Sequence, residues 1–382
     1  MPDRRKVLVV TGSRSEFGLL RPVMDAVREH PALELLVVAA GSHLIQPAVT
    51  LRDVKALFNV ADSVPMQIAG KTGRYEDAEA VGRGVGRFAR VFLTLQPHWI
   101  VVLGDRIEAF AAASAAAVGG WALAHIHGGD RAEGVADEAM RHAITKLANL
   151  HLPASEASAH RIRSMGEPAD RVHIIGSPAI DGLDRIPPIS AADLEPFRLT
   201  QIPRAIFLMH PIGRPDADEE LAAGLALRAC IEFAGGPDRV LALDPNHDPG
   251  RDGIIHAIER SGVPRATHLP RELFVGLLKA TATSGTGLLV GNSSAGLIEA
   301  AALGLPVVDI GLRQNGRERG TNVTHAPESA AAIRDAIHTA AALNRASFQH
   351  PFGDGHAGPR AAKILAQVDP TTVGFTRKHC TF

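Results

Sequence analysis

The stretch LVGNSSAGLIEAAALGLPVV, residues 289–308, joins an apolar run, a small polar turn, an alanine-rich helical run and a second apolar run. Apolar runs that alternate with helices are typical of βαβ units, in which helices cover both faces of a parallel sheet. In open parallel sheets, ligands bind beyond the carboxyl ends of the strands. The polar turn, residues 292–294, follows such an end, so it is a candidate binding site.

The same alternation continues along the whole chain. The runs that predict buried strands are KVLVVTGS, LELLVVAAG, HWIVVLGD, WALAHIHGG, RVHIIGS, RAIFLMHP, RVLALDPN, GLLVGNSS and PVVDIG. The runs LLRPVMDAVREH, VGRGVGRFARVFLTL and RIEAFAAASAAAVGG predict helices between strands of the first half. A proline-rich break at residues 179–197 interrupts the pattern, which then restarts. We therefore predict an α/β fold with two Rossmann-like, doubly wound domains.

The break and the chain length set the expected boundaries. A chain of 382 residues has room for two domains of ordinary size. We predict an N-terminal domain over residues 1–185 and a C-terminal domain over residues 186–355. Residues 356–382 are expected to form a last helix, near residues 360–368, and a tail that packs on one of the domains, the N-terminal one being favoured. The segment TATSGTG, residues 281–287, is interpreted as a surface connector.

Composition excludes several classes of partner. The formal net charge is −1 and aromatic residues make up 4%, so neither a basic face nor a base-stacking platform for nucleic acid is expected. The two cysteines, Cys230 and Cys380, form no disulfide framework, which favours the cytoplasm. The first apolar run is too short for a signal peptide, and no membrane span is evident.

The turn in the opening stretch has two interpretations. Ser293 or Ser294 caps a helix that begins near Ala295, or the same hydroxyls and the helix N–H groups bind an anion, with Gly296 allowing a phosphate to approach. Glu299, about one turn further on, is either a favourable first-turn acid or a ligand for ribose hydroxyls.

Polar residues also follow the strands of the first half. Arg14 follows the first strand and could contact a phosphate or remain solvated. Asp105 follows HWIVVLG as a helix cap or a cleft carboxylate. His125 and His127 form an H-x-H pair that suggests a metal, but no second pair of ligands follows at a matching spacing. We therefore expect no metal site.

Charged pairs at i,i+4 spacing follow the next strand. They are Asp137 with Arg141 and Glu138 with His142. On an exposed helix such pairs stabilise little, whereas at a cleft they would hold carboxylates in place. The density of acids favours the second interpretation, because Asp105, Asp130 and Asp137 all follow consecutive strands.

The second half has polar strand ends of its own. His210 follows RAIFLM and Asn246 follows RVLALDP. Arg313, Arg317 and Arg319 cluster beyond the last strong strand, where an anionic ligand or a solvated loop would suit them.

Together these motifs resemble the hydrolysing UDP-N-acetylglucosamine 2-epimerases of sialic-acid-type pathways. The resemblance rests on TGSRSEFGLLRPV, GDRIEAF, HIHGGD, DEAMRHAITKL, GEPADRVHIIGSP, PNHDPG, GNSSAGLIE, IGLRQNGRERG and FGDGHAGPR, in this order. It covers nearly the whole chain, and RHAITK together with GNSS is its most specific part. The family implies a glycosyltransferase-B-like fold with a nucleotide diphosphate in the interdomain cleft, and neither a metal nor a redox cofactor.

The resemblance also assigns roles in nucleotide binding. Ser293, Ser294 and Gly296 would hold the diphosphate, and Glu299 the ribose. Arg14, His210 and Arg313 would be further phosphate-side contacts, and Asn246 a nucleotide-site residue.

The catalytic roles come from the same resemblance. Asp105 and Asp137 match the catalytic carboxylates, Asp130 matches the acid of the HIHGG-Glu motif, and His210 joins them as a catalytic candidate. A carboxylate would take the proton from C2 of the sugar, and neutralised phosphates would let the nucleotide diphosphate leave. Water would then add to the resulting glycal and give the free 2-epimer. The expected partner is a nucleotide sugar, and the expected assembly is a homo-oligomer, either a dimer or a tetramer.

Several positions depart from the family pattern. The family usually has Ala-Glu-Tyr where this chain has Ser15-Glu16-Phe17, Glu at Asp130 and Thr at Gly213, and residues 281–287 look inserted. These departures leave open a 2,4-diacetamido-6-deoxy sugar or another nucleotide base. A glycosyltransferase, a non-hydrolysing 2-epimerase and a non-catalytic nucleotide-sugar sensor are the competing functions.

Overall fold

The computed structural model describes residues 4–46, 49–71, 73–131, 137–190, 192–246, 248–267 and 269–378, with only the backbone of Asp137. The described chain divides into two compact units. The N-terminal unit comprises residues 4–131, 137–181 and 352–378, and the C-terminal unit comprises residues 182–351 within these ranges.

The N-terminal unit is built on a parallel sheet in the order β3-β2-β1-β4-β5-β6. Its strands are β1 (Arg5–Thr11), β2 (Leu33–Ala40), β3 (Val60–Val64), β4 (Trp99–Leu103), β5 (Leu123–Ile126) and β6 (Leu150–Leu152). The helices between them are α1 (Arg14–Glu29), α2 (Leu51–Leu57), α3 (Arg74–Leu95), α4 (Ile107–Gly119), α5 (Asp137–Leu147) and α6 (Glu156–Ser164). This strand order is that of the dinucleotide-binding fold, whose switch point lies between β1 and β4.

The C-terminal unit repeats this architecture, with the sheet order β12-β11-β10-β7-β8-β9. Its strands are β7 (Ala205–Leu208), β8 (Val240–Leu243), β9 (Arg265–Ala266), β10 (Leu288–Gly291), β11 (Val307–Ile310) and β12 (Val323–Ala326). Its helices are α7 (Asp216–Ala234), α8 (Arg251–Ser261), α9 (Arg271–Thr283), α10 (Ser294–Leu297), α11 (Glu299–Ala302) and α12 (Ala330–Ala341). Here the switch point lies between β7 and β10.

Strands that are buried on both faces explain the continuous apolar runs of the sequence. In β1, Val7 and Val9 belong to the core on one face of the sheet, whereas Leu8 and Val10 belong to the core on the other. All four side chains are at most 1% exposed. The prediction of an α/β fold with two Rossmann-like doubly wound domains is therefore confirmed.

A last helix, α13 (Ala357–Gln367), packs on α1 within the N-terminal unit. Trp99 donates its indole N–H to the carbonyl oxygen of Leu365 at 3.1 Å. Gly358 lies against the main chain of Pro22, where a Cβ would overlap the carbonyl group. The glycine therefore permits close approach of the two helices.

The structure corrects three expectations. RVHIIGS is not a strand but a segment with a single bridge to the sheet, between Val172 and His151. The helix expected after GNSS is two short helices, α10 and α11, which are interrupted at Ile298. Of TATSGTG, residues 281–283 form the end of α9, and Thr281 is fully buried, so the connector is shorter than expected.

Within the described residues, no helix combines the length and the apolar character that crossing a membrane requires.

Candidate functional site

The switch point of the C-terminal unit brings together two polar segments of the sequence. β7 and β10 pair in parallel up to Leu208 and Gly291, and the chain turns polar directly after each strand. Gly291 has a φ of 150°, and a Cβ there would overlap the Leu208 carbonyl group. This glycine lets the two strands end side by side, so that His210 and Ser293 become neighbours.

The hydrogen bonds of His210 define its protonation state. Its Nδ1 accepts a hydrogen bond from the main-chain N–H of Asn246 at 3.1 Å, so the ring proton lies on Nε2, which is 3.3 Å from Ser293 Oγ. Burial, with the charge of Arg313 nearby, lowers the pKa of His210 to about 3. The ring is therefore a neutral N–H donor at physiological pH.

The serines and the glycine of the GNSSAG turn have different environments. Ser293 caps α10, with its Oγ accepting from the N–H of Ala295 at 3.4 Å, and Ser294 is the first residue of that helix. A Cβ at Gly296 would lie 2.9 Å from Val307 Cγ1, so this glycine is required for packing on β11. Ser293 is therefore the helix cap in the structure, and the Ser293 hydroxyl also faces His210.

Arg313 lies at the same switch point, because its Nη1 donates to the carbonyl oxygen of Asn292 at 3.2 Å. Arg319 instead pairs with the buried Asp309 at 2.8 Å. The cluster of arginines expected from the sequence is therefore divided between a polar turn and a strand.

Two further predicted nucleotide-site residues contact protein groups. Glu299 is 7% exposed, and its Oε1 lies 3.5 Å from Arg271 Nη1. The side chain of Asn246 donates to Asp248 Oδ2 at 2.5 Å, while its main chain holds His210. Gly213, in the loop after β7, has a φ of 82°, a conformation that favours glycine over the threonine expected there.

The switch point of the N-terminal unit carries an exposed arginine and two buried acids. Arg14 begins α1 and is exposed. Behind it, Glu16 Oε2 accepts from the N–H of Gly12 at 2.8 Å, and the side chain of Glu108 is completely buried. Burial and the nearby charge of Glu108 raise the pKa of Glu16 to about 8. These two glutamates were not predicted as notable, and an acid in the first turn of a helix that directly follows a buried strand is the signal that could have found them.

Asp105 follows β4 and is held by an arginine. Arg141, which is 3% exposed, donates Nη2 to the carboxylate of Asp105 and Nη1 to the carbonyl oxygen of His127 at 3.1 Å. Arg141 was expected to pair with Asp137, whose side chain lies outside the described residues. The i,i+4 pair of Glu138 and His142 is present, with 3.3 Å between the two side chains.

Asp130 is the centre of a second polar network of this unit. Its Oδ2 lies 2.7 Å from His127 Nδ1, and its Oδ1 accepts from Ser158 Oγ at 2.8 Å. The other ring nitrogen of His127 lies 2.9 Å from Ser177 Oγ. His127 has a φ of 60°, an uncommon conformation for a residue with a side chain, which directs the ring into this network. Asp105 and Asp130 lie near one another, since Arg141 Nη1 is also 3.9 Å from Asp130.

The nitrogens of the H-x-H pair are engaged by protein groups. His125 Nε2 lies 2.8 Å from the Gly104 carbonyl oxygen, and burial lowers the pKa of this ring to about 3. Among the residues whose side chains are described, no three His, Cys, Asp or Glu are placed to hold a metal ion together.

Phe17, one of the departures from the family pattern, belongs to the core. Its ring lies edge-on to His43 at 6.1 Å and to Phe58 at 6.0 Å. Phe17 therefore contributes to the core below α1.

Two parallel sheets in the dinucleotide-binding strand order, each with polar residues at its switch point, define a glycosyltransferase-B-like protein. Residues 25–366 match the protein family described as UDP-N-acetylglucosamine 2-epimerase. The chain belongs to the UDP-N-acetylglucosamine 2-epimerase family and is an enzyme of that family.

Individual relatives cover the chain almost completely. The UDP-N,N'-diacetylbacillosamine 2-epimerase (hydrolyzing) of Legionella pneumophila is 31% identical, covering 95% of this chain and 96% of its own length. The UDP-N-acetylglucosamine 2-epimerase of Neisseria meningitidis is 28% identical over 92% of this chain and 91% of its own. A crystal structure of UDP-GlcNAc 2-epimerase from Neisseria meningitidis bound to UDP-GlcNAc has a TM-score of 0.75 at 19% identity, covering 95% of this chain and 100% of the other. This structural likeness shows the shared fold.

Proposed function

We propose that the protein is a hydrolysing 2-epimerase of a UDP-2-acetamido sugar, which releases UDP and the free 2-epimer. The observation that carries the proposal is the group of donors at the switch point of the C-terminal unit: the neutral His210 N–H, the Ser293 hydroxyl and the Arg313 guanidinium. A diphosphate only accepts hydrogen bonds, so it is the ligand that such a group of donors suits. In this proposal Ser294, Gly296 and Arg14 are further phosphate-side residues, and Glu299 and Asn246 complete the nucleotide site.

The proposal assigns the proton chemistry to carboxylates of the N-terminal unit. Asp105 and Asp130 lie at its strand ends with Arg141 between them, and Asp137 begins α5 directly after. One carboxylate takes the C2 proton, and the electron pair of that C–H bond forms the C1–C2 double bond as UDP leaves C1 with the C1–O pair. Donors around the diphosphate stabilise the charge that develops on it. Water then adds its hydroxyl at C1, and a proton adds at C2 from the other face.

A second candidate substrate is supported by the name of one relative. The Legionella pneumophila relative, 31% identical over 95% of this chain, is named for a diacetylated amino sugar. The Neisseria meningitidis relative, 28% identical over 92%, is named for UDP-N-acetylglucosamine. A 2,4-diacetamido-6-deoxy sugar is therefore the second candidate, and both substrates require the same chemistry at C1 and C2.

One incubation distinguishes these functions. The protein is mixed with UDP-N-acetylglucosamine, UDP-N,N'-diacetylbacillosamine or a GDP counterpart, and the products are followed by proton NMR. We expect UDP and a free 2-epimer, at a rate that EDTA leaves unchanged. A 2-epimer that remains attached to UDP would indicate a non-hydrolysing epimerase, and release of UDP only after addition of an acceptor sugar would indicate a glycosyltransferase. Loss of activity in EDTA, with recovery on adding a divalent ion, would contradict the metal-free mechanism.

A further inference from the structure

The main-chain carbonyl oxygen of Asn292 accepts hydrogen bonds from two neighbouring side chains. Gln314 Nε2 lies 2.8 Å from this oxygen, and Arg313 Nη1 lies 3.2 Å from it. Gln314 is 2% exposed, whereas Arg313 is only partly buried. One donor is enough to satisfy a buried carbonyl group. The two side chains therefore duplicate one another at this oxygen.

Asn292 itself is fixed on the switch point. Its side-chain Oδ1 accepts from the main-chain N–H of His210 at 2.7 Å, and its Nδ2 donates to the His210 carbonyl oxygen at 2.9 Å. These two bonds continue the pairing of β7 and β10 by one residue, with an amide side chain in place of a peptide group. A shift of the Asn292 main chain would consequently disturb both His210 and the Ser293 that follows it.

The segment that carries both donors, residues 311–319, is anchored at its two ends. The N–H of Gly311 donates to the Ala326 carbonyl oxygen at 2.9 Å, and Arg319 pairs with Asp309 at 2.8 Å. In the middle of the segment, Gln314 makes the buried contact with the Asn292 carbonyl oxygen. The Arg313 guanidinium, beside it and nearer to solvent, is the donor that can turn to a ligand.

We propose that Gln314 is a positioning residue that releases Arg313 for the diphosphate of the nucleotide sugar. This inference rests on the function proposed above. When the guanidinium turns from Asn292 to an anion, Gln314 keeps the carbonyl group hydrogen-bonded, so the movement leaves no buried acceptor unsatisfied. Without the glutamine amide, Arg313 would have to choose between the carbonyl group and the phosphates.

A double-mutant cycle tests this role. In Gln314→Met, which keeps the length of the side chain but removes the donor, we expect UDP to bind about tenfold more weakly, the effect of about 1.4 kcal/mol. The unfolding temperature without ligand should change little, because Arg313 still serves the carbonyl group. In an Arg313→Ala background, Gln314→Met should leave the UDP affinity unchanged, because no guanidinium remains to be released. Calorimetric titration measures the UDP affinity of the unmodified protein, the two single variants and the double variant.

Two further measurements separate this role from loss of structure. Thr281→Val alters a fully buried polar residue near the end of α9, the helix that precedes β10, and should leave UDP binding unchanged. Uridine lacks phosphates, so its affinity should be equal in Gln314→Met and in the unmodified protein. This comparison does not need the double variant, so it remains valid if that variant folds poorly.

Each remaining outcome overturns the inference. An equal loss of UDP affinity from Gln314→Met in both backgrounds, an unchanged UDP affinity in Gln314→Met, or an equal loss for uridine would show that the glutamine only supports the fold. If UDP binds the unmodified protein and Arg313→Ala equally well, the inference fails and the proposed function stands. If the unmodified protein does not bind UDP, the proposed function fails, and the inference with it.

Discussion

At the residue scale, the neighbours of His210 and Ser293 determine what these side chains can offer a ligand. The Asn246 N–H occupies His210 Nδ1, so the ring presents Nε2–H, and its lowered pKa of about 3 keeps it neutral. Ser293 Oγ already accepts from Ala295 and faces the ring, so its own O–H is the part that remains for a ligand oxygen. His210 is therefore suited to donate a hydrogen bond and unsuited to act as an imidazolium acid.

Removing the two hydroxyls of the turn should weaken nucleotide binding more than it weakens the fold. Each hydrogen bond to a charged oxygen contributes about 1.5–3 kcal/mol, whereas a lost helix cap costs about 1 kcal/mol. Calorimetry on the Ser293→Ala/Ser294→Ala variant should show a large loss of UDP affinity and a small change in unfolding temperature. Unchanged affinity with a large fall in that temperature would show that the serines serve only as caps.

Glu16 should make the stability of the N-terminal unit depend on pH. Burial raises its pKa from 4.5 to about 8, so the folded state holds a proton that the unfolded chain releases. This stabilisation is fully present below pH 4.5 and is lost as the pH rises through about 8. Glu16→Gln cannot ionise. It should match the unmodified protein in free energy of unfolding near pH 5 and exceed it near pH 9, by on the order of 3 kcal/mol.

Thermal unfolding between pH 5 and pH 9 checks this difference. The buried histidines titrate in both proteins, so subtracting the two curves isolates Glu16. Glu34→Gln removes an exposed carboxylate of the same unit and should leave the curve unchanged. A curve of Glu16→Gln that runs parallel to that of the unmodified protein would contradict the proton assigned to Glu16.

At the scale of elements, the chain after α13 is held on the N-terminal unit by two kinds of contact. The rings of Phe375 and Trp99 are arranged edge to face, with 5.4 Å between their centroids. The guanidinium carbon of Arg171 lies 3.7 Å from the centroid of the Phe375 ring.

The second contact is ionic. Lys378 donates to the buried carboxylate of Glu167, which also binds Lys146 at 2.6 Å. Burial opposes the charge of Glu167, but the hydrogen bonds from His151, Lys146 and Lys378 outweigh it and lower the pKa of Glu167 to about 2, so the carboxylate stays charged.

Phe375→Ala should destabilise the N-terminal unit by about 3 kcal/mol, the usual cost of removing a packed phenylalanine. Its side chain is 6% exposed, whereas the nearby Val373 is 99% exposed. Val373→Ala is therefore the matched control and should leave denaturant unfolding unchanged. If both variants had the same denaturant midpoint as the unmodified protein, the chain after α13 would contribute nothing to the stability of the fold.

The sequence predicts most elements of this fold and only part of the site. Runs such as KVLVVTGS predict strands because both faces of the sheet are covered, whereas β3 was missed because its residues VADSV are polar and largely exposed at a sheet edge. Strand-end positions such as Asp105 and His210 were predictable from that pattern. The bond between Arg141 and Asp105 was not predictable, because i,i+4 spacing reports only neighbours on one helix and these two residues belong to different elements.

At the scale of the whole molecule, the proposed function divides the work between two units that each have their own sheet. In this proposal the donors for the diphosphate belong to the C-terminal unit, apart from Arg14, and the carboxylates belong to the N-terminal unit. Variants should therefore fall into two groups. Changes at the C-terminal switch point should reduce UDP affinity, and changes at the carboxylates should reduce turnover while UDP affinity stays nearly intact.

The C2 proton gives the sharpest test of this division. If a carboxylate removes that proton, the reaction in D2O should give a free sugar with deuterium at C2, because the glycal is protonated there by solvent-derived deuterium. Asp105→Asn and Asp137→Asn keep the shape of the side chain and remove its basicity, so each should lower turnover by on the order of 10²–10⁴. Calorimetry with UDP shows whether nucleotide binding is intact, and thermal unfolding serves as the control for folding of the N-terminal unit. A hydrolase that acts only at C1, or a glycosyltransferase that transfers to water, would leave C2 untouched. A sugar without deuterium at C2 and with its original configuration would therefore exclude the epimerase mechanism.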